Sequence, residues 1–334
     1  MRGTRSRMLA GISALAVVLV GCCFASLALG SQPIPLGTVV DALLRPQTIE
    51  SHIVVRSLRV PRTELGVLAG VALGLAGALT QAHTRNPLAD PGVLGVSAGA
   101  AFFVVVGIYV FGISTLYGYI WFAFAGAIVA SAGVFAIGSA RGGGVTPVRL
   151  VLAGAAVTAL LNALTSALVI NDEQTLNAFR FWSVGALEGR DAAVVGEVVW
   201  FVVLGAVLAL AGARGLNALA LGEDMARSLG QHIPRTRVLG LVAITLLVGA
   251  ATAACGPIAF VGLVVPHAVR AFTGPDYRWL LPFSALAGAI LLLVADVLGR
   301  VLARPQELQV GIVVAVLGAP FFVLLVRRRR VGAL

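Results

Sequence analysis

Long apolar stretches separated by short polar ones recur along the whole chain. Nine of them are long enough to cross a bilayer as helices, at about 9–29, 64–82, 93–112, 119–138, 149–170, 192–212, 237–254, 281–301 and 311–326. A hydrocarbon core about 30 Å thick takes roughly 20 helical residues. Each span must be helical, because no water is present at that depth to satisfy backbone groups. A shorter tenth segment, about 256–266, opens with Gly256-Pro257 and closes on Pro266. It predicts a half-length or tilted helix packed inside protein. The expected fold class is therefore all-α, a polytopic membrane protein of about ten transmembrane helices in a single domain over 1–334.

The first apolar run has two readings. Arg2, Arg5 and Arg7 precede it as in a signal peptide, and Leu19-Val20-Gly21-Cys22 resembles a lipoprotein cleavage box. Its length suits a full span and more spans follow, so a first transmembrane helix is expected, with 1–8 as a cytoplasmic N-terminus.

Composition sharpens the choice of solvent. Of 334 residues, 59% are hydrophobic and 11% charged, with a mean hydropathy of +1.00. Soluble domains carry about 25% charged residues, so there is too little polar surface here to cover a globule in water. The net charge of +10 forms no basic face, and all 24 basic residues are arginine. They stand singly between apolar runs and as Arg327-Arg328-Arg329-Arg330 near the C-terminus. That placement argues against nucleic acid as a partner and suits membrane orientation.

With the N-terminus inside and the spans alternating, the inner side holds Arg2, Arg5, Arg7, Arg85, Arg141, Arg149, Arg214, Arg227, Arg235, Arg237, Arg270, Arg278 and Arg327 to Arg330, sixteen in all. The outer side holds Arg45, Arg56, Arg59, Arg62, Arg180, Arg190, Arg300 and Arg304, which is eight. This bias follows the positive-inside rule and puts both termini in the cytoplasm. Residues 327–334 then form a basic cytoplasmic tail.

Two segments do not span. One, about 31–62, lies outside and opens with Pro33 and Pro35. The other, 213–236, lies inside and alternates apolar and charged residues at helical spacing, with Gly222 between two pieces. It reads as two short amphipathic helices at the surface, either an ordinary interfacial loop or a docking surface for a soluble partner. Gly66, Gly70 and Gly74 recur every fourth position, with Gly77 next along. A helix face so bare lets another backbone approach closely, which predicts a tight bundle.

No catalytic constellation emerges. The four histidines, His52, His83, His232 and His267, are scattered without metal-ligand spacing. Cys22, Cys23 and Cys255 form neither a disulfide framework nor a metal pattern. No cofactor or metal site is expected in this chain. Without lysine there is no Gly-x-x-x-x-Gly-Lys-[Ser/Thr] phosphate loop, so the chain does not hydrolyse ATP by that route. If ATP drives it, the ATPase is another chain. Acids inside spans are few: Glu64 at an outer start, and Asp296 with Arg300 four residues on, which reads as an intrahelical ion pair. An ion-coupled secondary carrier, the alternative class, normally shows more buried acids.

Three stretches carry a family resemblance. The first runs from Arg59-Val60-Pro61-Arg62 through Gly77-Ala78-Leu79-Thr80-Gln81 to Arg85-Asn86-Pro87-Leu88-Ala89-Asp90-Pro91-Gly92-Val93-Leu94-Gly95-Val96-Ser97-Ala98-Gly99-Ala100. The second is Leu219-Ala220-Leu221-Gly222-Glu223-Asp224-Met225-Ala226-Arg227-Ser228-Leu229-Gly230. The third joins Gly256-Pro257-Ile258-Ala259-Phe260-Val261-Gly262-Leu263-Val264-Val265-Pro266-His267 to Glu307-Leu308-Gln309-Val310-Gly311 and Gly318-Ala319-Pro320-Phe321-Phe322. In that order they resemble the FecCD family, permeases of ABC importers for iron–siderophores, haem and cobalamin.

The resemblance implies a homodimer, or a pair with a related permease chain, in a bacterial cytoplasmic (inner) membrane. It implies two ATP-binding-cassette ATPase subunits below and a periplasmic or lipid-anchored substrate-binding protein above. Leu219, Leu221, Gly222, Glu223, Ala226, Leu229 and Gly230 match the family's coupling helices, which receive the ATPase. Arg59, Arg62 and Arg300 match arginines that pair with glutamates on the binding protein, although interfacial anchoring, or the Asp296 pair for Arg300, is the competing reading. Asn86 and Leu88 match an inner gate, or else a purely structural turn. Around Thr146, Pro147 and Val148 the chain departs from the small hydroxyl residues of the cobalamin member, which leaves a second gate open. Gln309 stands where the family commonly has proline. The substrate expected on family frequencies is an iron(III)–siderophore-type chelate, with haem or cobalamin as runner-up.

Overall fold

The structure, a computed structural model, describes residues 2–113, 115–139 and 146–331. Arg141, assigned above to the inner side, and the end of the basic tail, 332–334, lie outside the described residues. The elements are α1 (Arg2–Ala28), α2 (Leu36–Leu44), α3 (Glu50–Ile53), α4 (Val60–Thr84), α5 (Val96–Phe111), α6 (Leu116–Ser139), α7 (Pro147–Ile170) and α8 (Glu173–Ser183). They continue as α9 (Ala192–Ala211), α10 (Ala213–Ala220), α11 (Glu223–Ser228), α12 (Ile233–Cys255), α13 (Val261–Thr273), α14 (Tyr277–Leu302) and α15 (Val310–Val331). No strand occurs among the described residues.

The nine longer expected apolar segments are each helical over most of their length, and the tenth only in its second half. Seven are long and apolar enough to cross a membrane, whereas α5, α13 and the apolar part of α15 are shorter. Val17 on α1, Leu160 on α7 and Trp200 on α9 point away from the protein. Apolar side chains on every side of a helix mark one immersed in an apolar solvent.

The bare face of α4 is where the bundle closes. A Cβ at Gly70 would stand 2.5 Å from the Ala289 Cα of α14, and one at Gly74 would overlap the Ser284 carbonyl oxygen. At Gly77 the intruder would strike the Gly262 backbone of α13. Without side chains between them, α4, α13 and α14 gain backbone-to-backbone dispersion contacts that lipid cannot supply.

The short tenth segment differs from expectation. Gly256 (φ 77°) ends α12, residues 256–260 are not helical, and Phe260 sits at φ 68°. The helix runs over Val261–Thr273, so Pro266 lies inside it instead of closing it. A proline there cannot donate to the carbonyl four residues earlier. Gln81 compensates: its amide nitrogen donates to the Gly262 carbonyl at 3.4 Å and to the Leu263 carbonyl at 3.2 Å. Irregular backbone within a membrane bundle is tolerated where protein surrounds it, and Pro91 of the 85–95 connection packs against Gly262.

A second difference is at the outer segment. Helix runs without a break from Glu50 to Thr84, through π-helical Val54–Arg59. Arg56, Arg59 and Arg62 interrupt the apolar pattern there, and Pro61 lies inside the continuous helix just past the π-helical turn, where it removes one backbone donor. Helix α8 also went unforeseen. It has 11 residues of mixed apolar and polar character, too short to mark a span, and its start is fixed by Asp172 accepting from the Thr175 N–H at 2.7 Å.

Candidate functional site

The residues singled out by sequence gather at two ends of α4. Arg62 lies near its start and Arg85 just past its end, roughly 35 Å apart at 1.5 Å per residue.

At the first end the arginines are occupied. Arg59 is 7% exposed and donates to the carbonyls of Leu27 at 2.7 Å and Ala28 at 3.0 Å, and to that of Gln32. Arg300 is 2% exposed and donates to the carbonyls of Ser26 at 2.9 Å and Leu29 at 3.0 Å. Arg304 donates to the Gly30 carbonyl at 2.9 Å. The last carbonyls of a helix have no partner within it and carry its negative dipole end. Three arginines thus close the C-terminus of α1. Arg59 and Arg300 are interior caps of α1.

Arg62 belongs to a chain of alternating charge. It meets Asp296 at 2.8 Å and Glu307 at 2.6 Å, and Asp296 also meets Arg300 at 2.8 Å. The Asp296–Arg300 pair is the one read from their four-residue spacing; Arg62 is the unforeseen third member. Asp296 is fully buried, and such a carboxylate is tolerable only when paired and hydrogen-bonded. Glu188 lies alongside, its pKa raised by burial against the opposing pull of Arg62, with neighbouring Glu307 and Asp296 raising it further. Arg62, Glu188, Arg300 and Glu307 border a cavity of about 490 Å³ that also receives Arg190. Glu188 and Ser26 carried no signal in the sequence, since each acts only through partners far along the chain. Glu307 lay within a quoted motif.

Glu64 is exposed on the flank of α4, in a groove lined by Cys23, Leu27 and Leu68.

At the second end, 213–236 forms two short helices, α10 and α11, with Gly222 between them at φ 108°. Leu219 and Ala226 turn inward with Ala218 and Ile233. Leu221, Met225 and Leu229 turn outward and are 66%, 53% and 57% exposed. Gly230, at φ 76°, ends the elbow. Asn217 anchors α10: its amide donates to Asp276 at 2.6 Å and its carbonyl accepts from the Tyr277 N–H at 2.8 Å. The bidentate Arg278 guanidinium, chiefly, holds the Asp276 pKa down at about 2. Glu223 faces inward and pairs with Arg237 and Arg85.

The turn after α4 begins with Arg85 in the left-handed region, at φ 50°. The Asn86 side chain accepts from the Leu88 N–H at 3.0 Å, the local pattern that makes asparagine a turn former. Asn86 is exposed and Leu88 half-buried. Near the other candidate gate, Thr146 caps α7 by accepting from the Arg149 N–H at 3.4 Å, and Val148 is exposed. Among the described residues no group of three or more His, Cys, Asp or Glu could hold a metal ion.

Over 321 residues, 96% of each chain, the sequence is 45% identical to the ferric enterobactin transport system permease protein FepD of Escherichia coli K12. It is 42% identical to the Fe(3+)-citrate import system permease protein YfmD of Bacillus subtilis 168, across 98% of this chain and 97% of that one. A solved structure described as an inward-facing metal-chelate type ABC transporter superposes with a TM-score of 0.83 at 28% identity, covering 96% of this chain and 99% of that one. The match to the family itself runs over residues 17–328, and the chain belongs to the FecCD transport family.

Proposed function

We propose that this chain is the membrane-spanning permease subunit of an ABC importer, carrying an iron(III)–siderophore-type chelate inward while separate subunits hydrolyse ATP. The observation that carries the reading is the end-to-end similarity to a ferric enterobactin permease, at 45% identity. In this reading ten helices cross the bacterial inner membrane and both termini are cytoplasmic, in keeping with the two-to-one arginine bias. The chain pairs with a second copy, and the outward apolar residues of α7 and α15, such as Leu160 and Val316, offer faces for it.

The α10–α11 elbow receives the ATPase. Leu221, Met225 and Leu229 present apolar surface to it, while Leu219 and Ala226 hold the elbow to the bundle. The opposite end receives a periplasmic or lipid-anchored binding protein. There Arg62 meets an incoming glutamate by exchanging Glu307, its more exposed partner, and Arg59 and Arg300 support the site by holding α1. Asn86 and Leu88 gate the inner end of the path.

The test is uptake of radiolabelled ferric siderophore, haem and cobalamin by a deletion strain, with and without the gene. Uptake restored for ferric siderophore alone is expected. Restoration of haem or cobalamin alone would overturn the substrate assignment. Transport by the purified chain in liposomes without any ATPase would place it among secondary carriers.

A further inference from the structure

Glu223 lies among three arginines on three elements, one of which, Arg227, also lies 3.6 Å from Asp224. Arg237, in the first turns of α12, donates to its Oε1. Arg85, on the turn that ends α4, lies 3.9 Å from that oxygen, and Arg227 of α11 itself reaches Oε2 at 3.7 Å. Glu223 is 29% exposed and Arg237 13%, whereas Asp224, its neighbour, stands fully in solvent. Of the two acids that open α11, one therefore faces outward and the other faces the bundle.

The elements joined by Glu223 already touch. His83, two residues before Arg85, lies so close to α12 that a Cβ at Gly240 would overlap its imidazole. Arg85 also reaches the Leu219 carbonyl at the end of α10, at 3.5 Å. Its own backbone is in the left-handed region, where a residue other than glycine persists only if its surroundings hold it. The residue after it is Asn86, whose side chain organises the turn to Leu88. A displacement of α11 must therefore either break the Glu223 bridge or move Arg85, and with it the turn.

We infer that Glu223 is an internal linkage and not a contact to the ATPase: it transmits movement of the α10–α11 elbow to the Arg85–Leu88 turn and to the start of α12. This rests on the reading that the elbow receives the ATPase. Glu223 is in this sense a positioning residue, and it acts through Arg85 on the gate candidates Asn86 and Leu88.

The experiment uses the full complex, with the chain co-expressed beside the ATPase subunit that co-isolates with it. Cys22, Cys23 and Cys255 are replaced by alanine, and Leu88→Cys reports on the turn through its rate of labelling by a water-soluble maleimide, with and without a trapped nucleotide. With Glu223 intact, nucleotide trapping is expected to change that rate at least fivefold. In Glu223→Gln and in Arg85→Gln the change falls below twofold, while ATPase capture and ATP hydrolysis stay within twofold of the parent. The double variant is no worse than either single one, and Glu223→Asp restores most of the response.

A full labelling response in Glu223→Gln, or effects of the two single variants that multiply, overturns the linkage. So does loss of ATPase capture in Glu223→Gln, which makes Glu223 a contact residue, or an unresponsive parent. If Glu223→Gln fails to fold, Arg85→Gln, on a half-exposed side chain, decides the matter alone. Failure of the underlying reading shows separately: Leu221→Glu with Leu229→Glu then captures as much ATPase as the parent.

Discussion

Asp296→Asn is the sharpest probe of the charge chain at the start of α4. The substitution keeps the shape of the side chain and removes one negative charge from a fully buried position. Arg300 then retains its bonds to the Ser26 and Leu29 carbonyls but loses its ion-pair partner among the described residues, at 2.8 Å, while itself 2% exposed. Arg62 loses the bidentate contact at 3.1 and 2.8 Å and keeps Glu307 at 2.6 Å. Breaking one side of a buried pair strands a charge and typically costs about 3–5 kcal/mol.

Glu307→Gln supplies the contrast. Glu307 is 22% exposed and its removal leaves Arg62 still paired with Asp296, so a loss of about 1 kcal/mol or less is expected. Equilibrium unfolding in mixed detergent micelles measures both. The double variant Asp296→Asn with Arg300→Met removes the stranded charge, and it should recover part of the loss as a positive coupling in the cycle. An Asp296→Asn cost no larger than that of Glu307→Gln would refute the claim that burial, more than pairing alone, sets the energy of this site.

Gly77→Ala forces a Cβ into the Gly262 backbone and should cost roughly 1–3 kcal/mol or more, read as lost monodisperse protein in size-exclusion chromatography. Gly196→Ala on α9 meets nothing within 4 Å and should be neutral or stabilising by about 0.5–1 kcal/mol. Gln81→Leu removes the side-chain donor to the Gly262 carbonyl, which Pro266 cannot satisfy, at a cost of about 1–3 kcal/mol; adding Pro266→Ala, which restores an N–H, should return part of it in the same unfolding assay. Asp276→Ala removes the cap of α14, at about 0.5–2 kcal/mol near neutral pH. Because its folded-state pKa is depressed to about 2, the stability that Asp276 contributes is present above the ordinary carboxylate range and is lost as pH falls through about 2. Unfolding of wild type and Asp276→Ala should therefore differ by a constant amount above about pH 5 and converge toward pH 2.

Parts of both sites were visible before the fold. The Gly222 break and the mixed pattern of 213–236 marked two short helices, since helical spacing and a glycine hinge are local properties. The four-residue spacing of Asp296 and Arg300 likewise announced their pairing. The inward turn of Glu223 was not visible, because it depends on where α4 ends and α12 begins, 138 residues before and 14 after in the case of Arg85 and Arg237.

By itself the sequence determined where the long apolar helices fall along the chain, because a bilayer imposes length and composition on every segment that enters it. It also determined the bare glycine face along which α4 approaches its neighbours. Only the tertiary structure decided which arginines are free. Arg59 and Arg300 look equivalent to Arg56 along the chain, yet they cap α1 while Arg56 stands exposed. Their acceptors are backbone carbonyls, 32 and 274 residues away. Every residue carries such a group, so no side-chain pattern can mark which ones a fold leaves unpaired at the end of a helix.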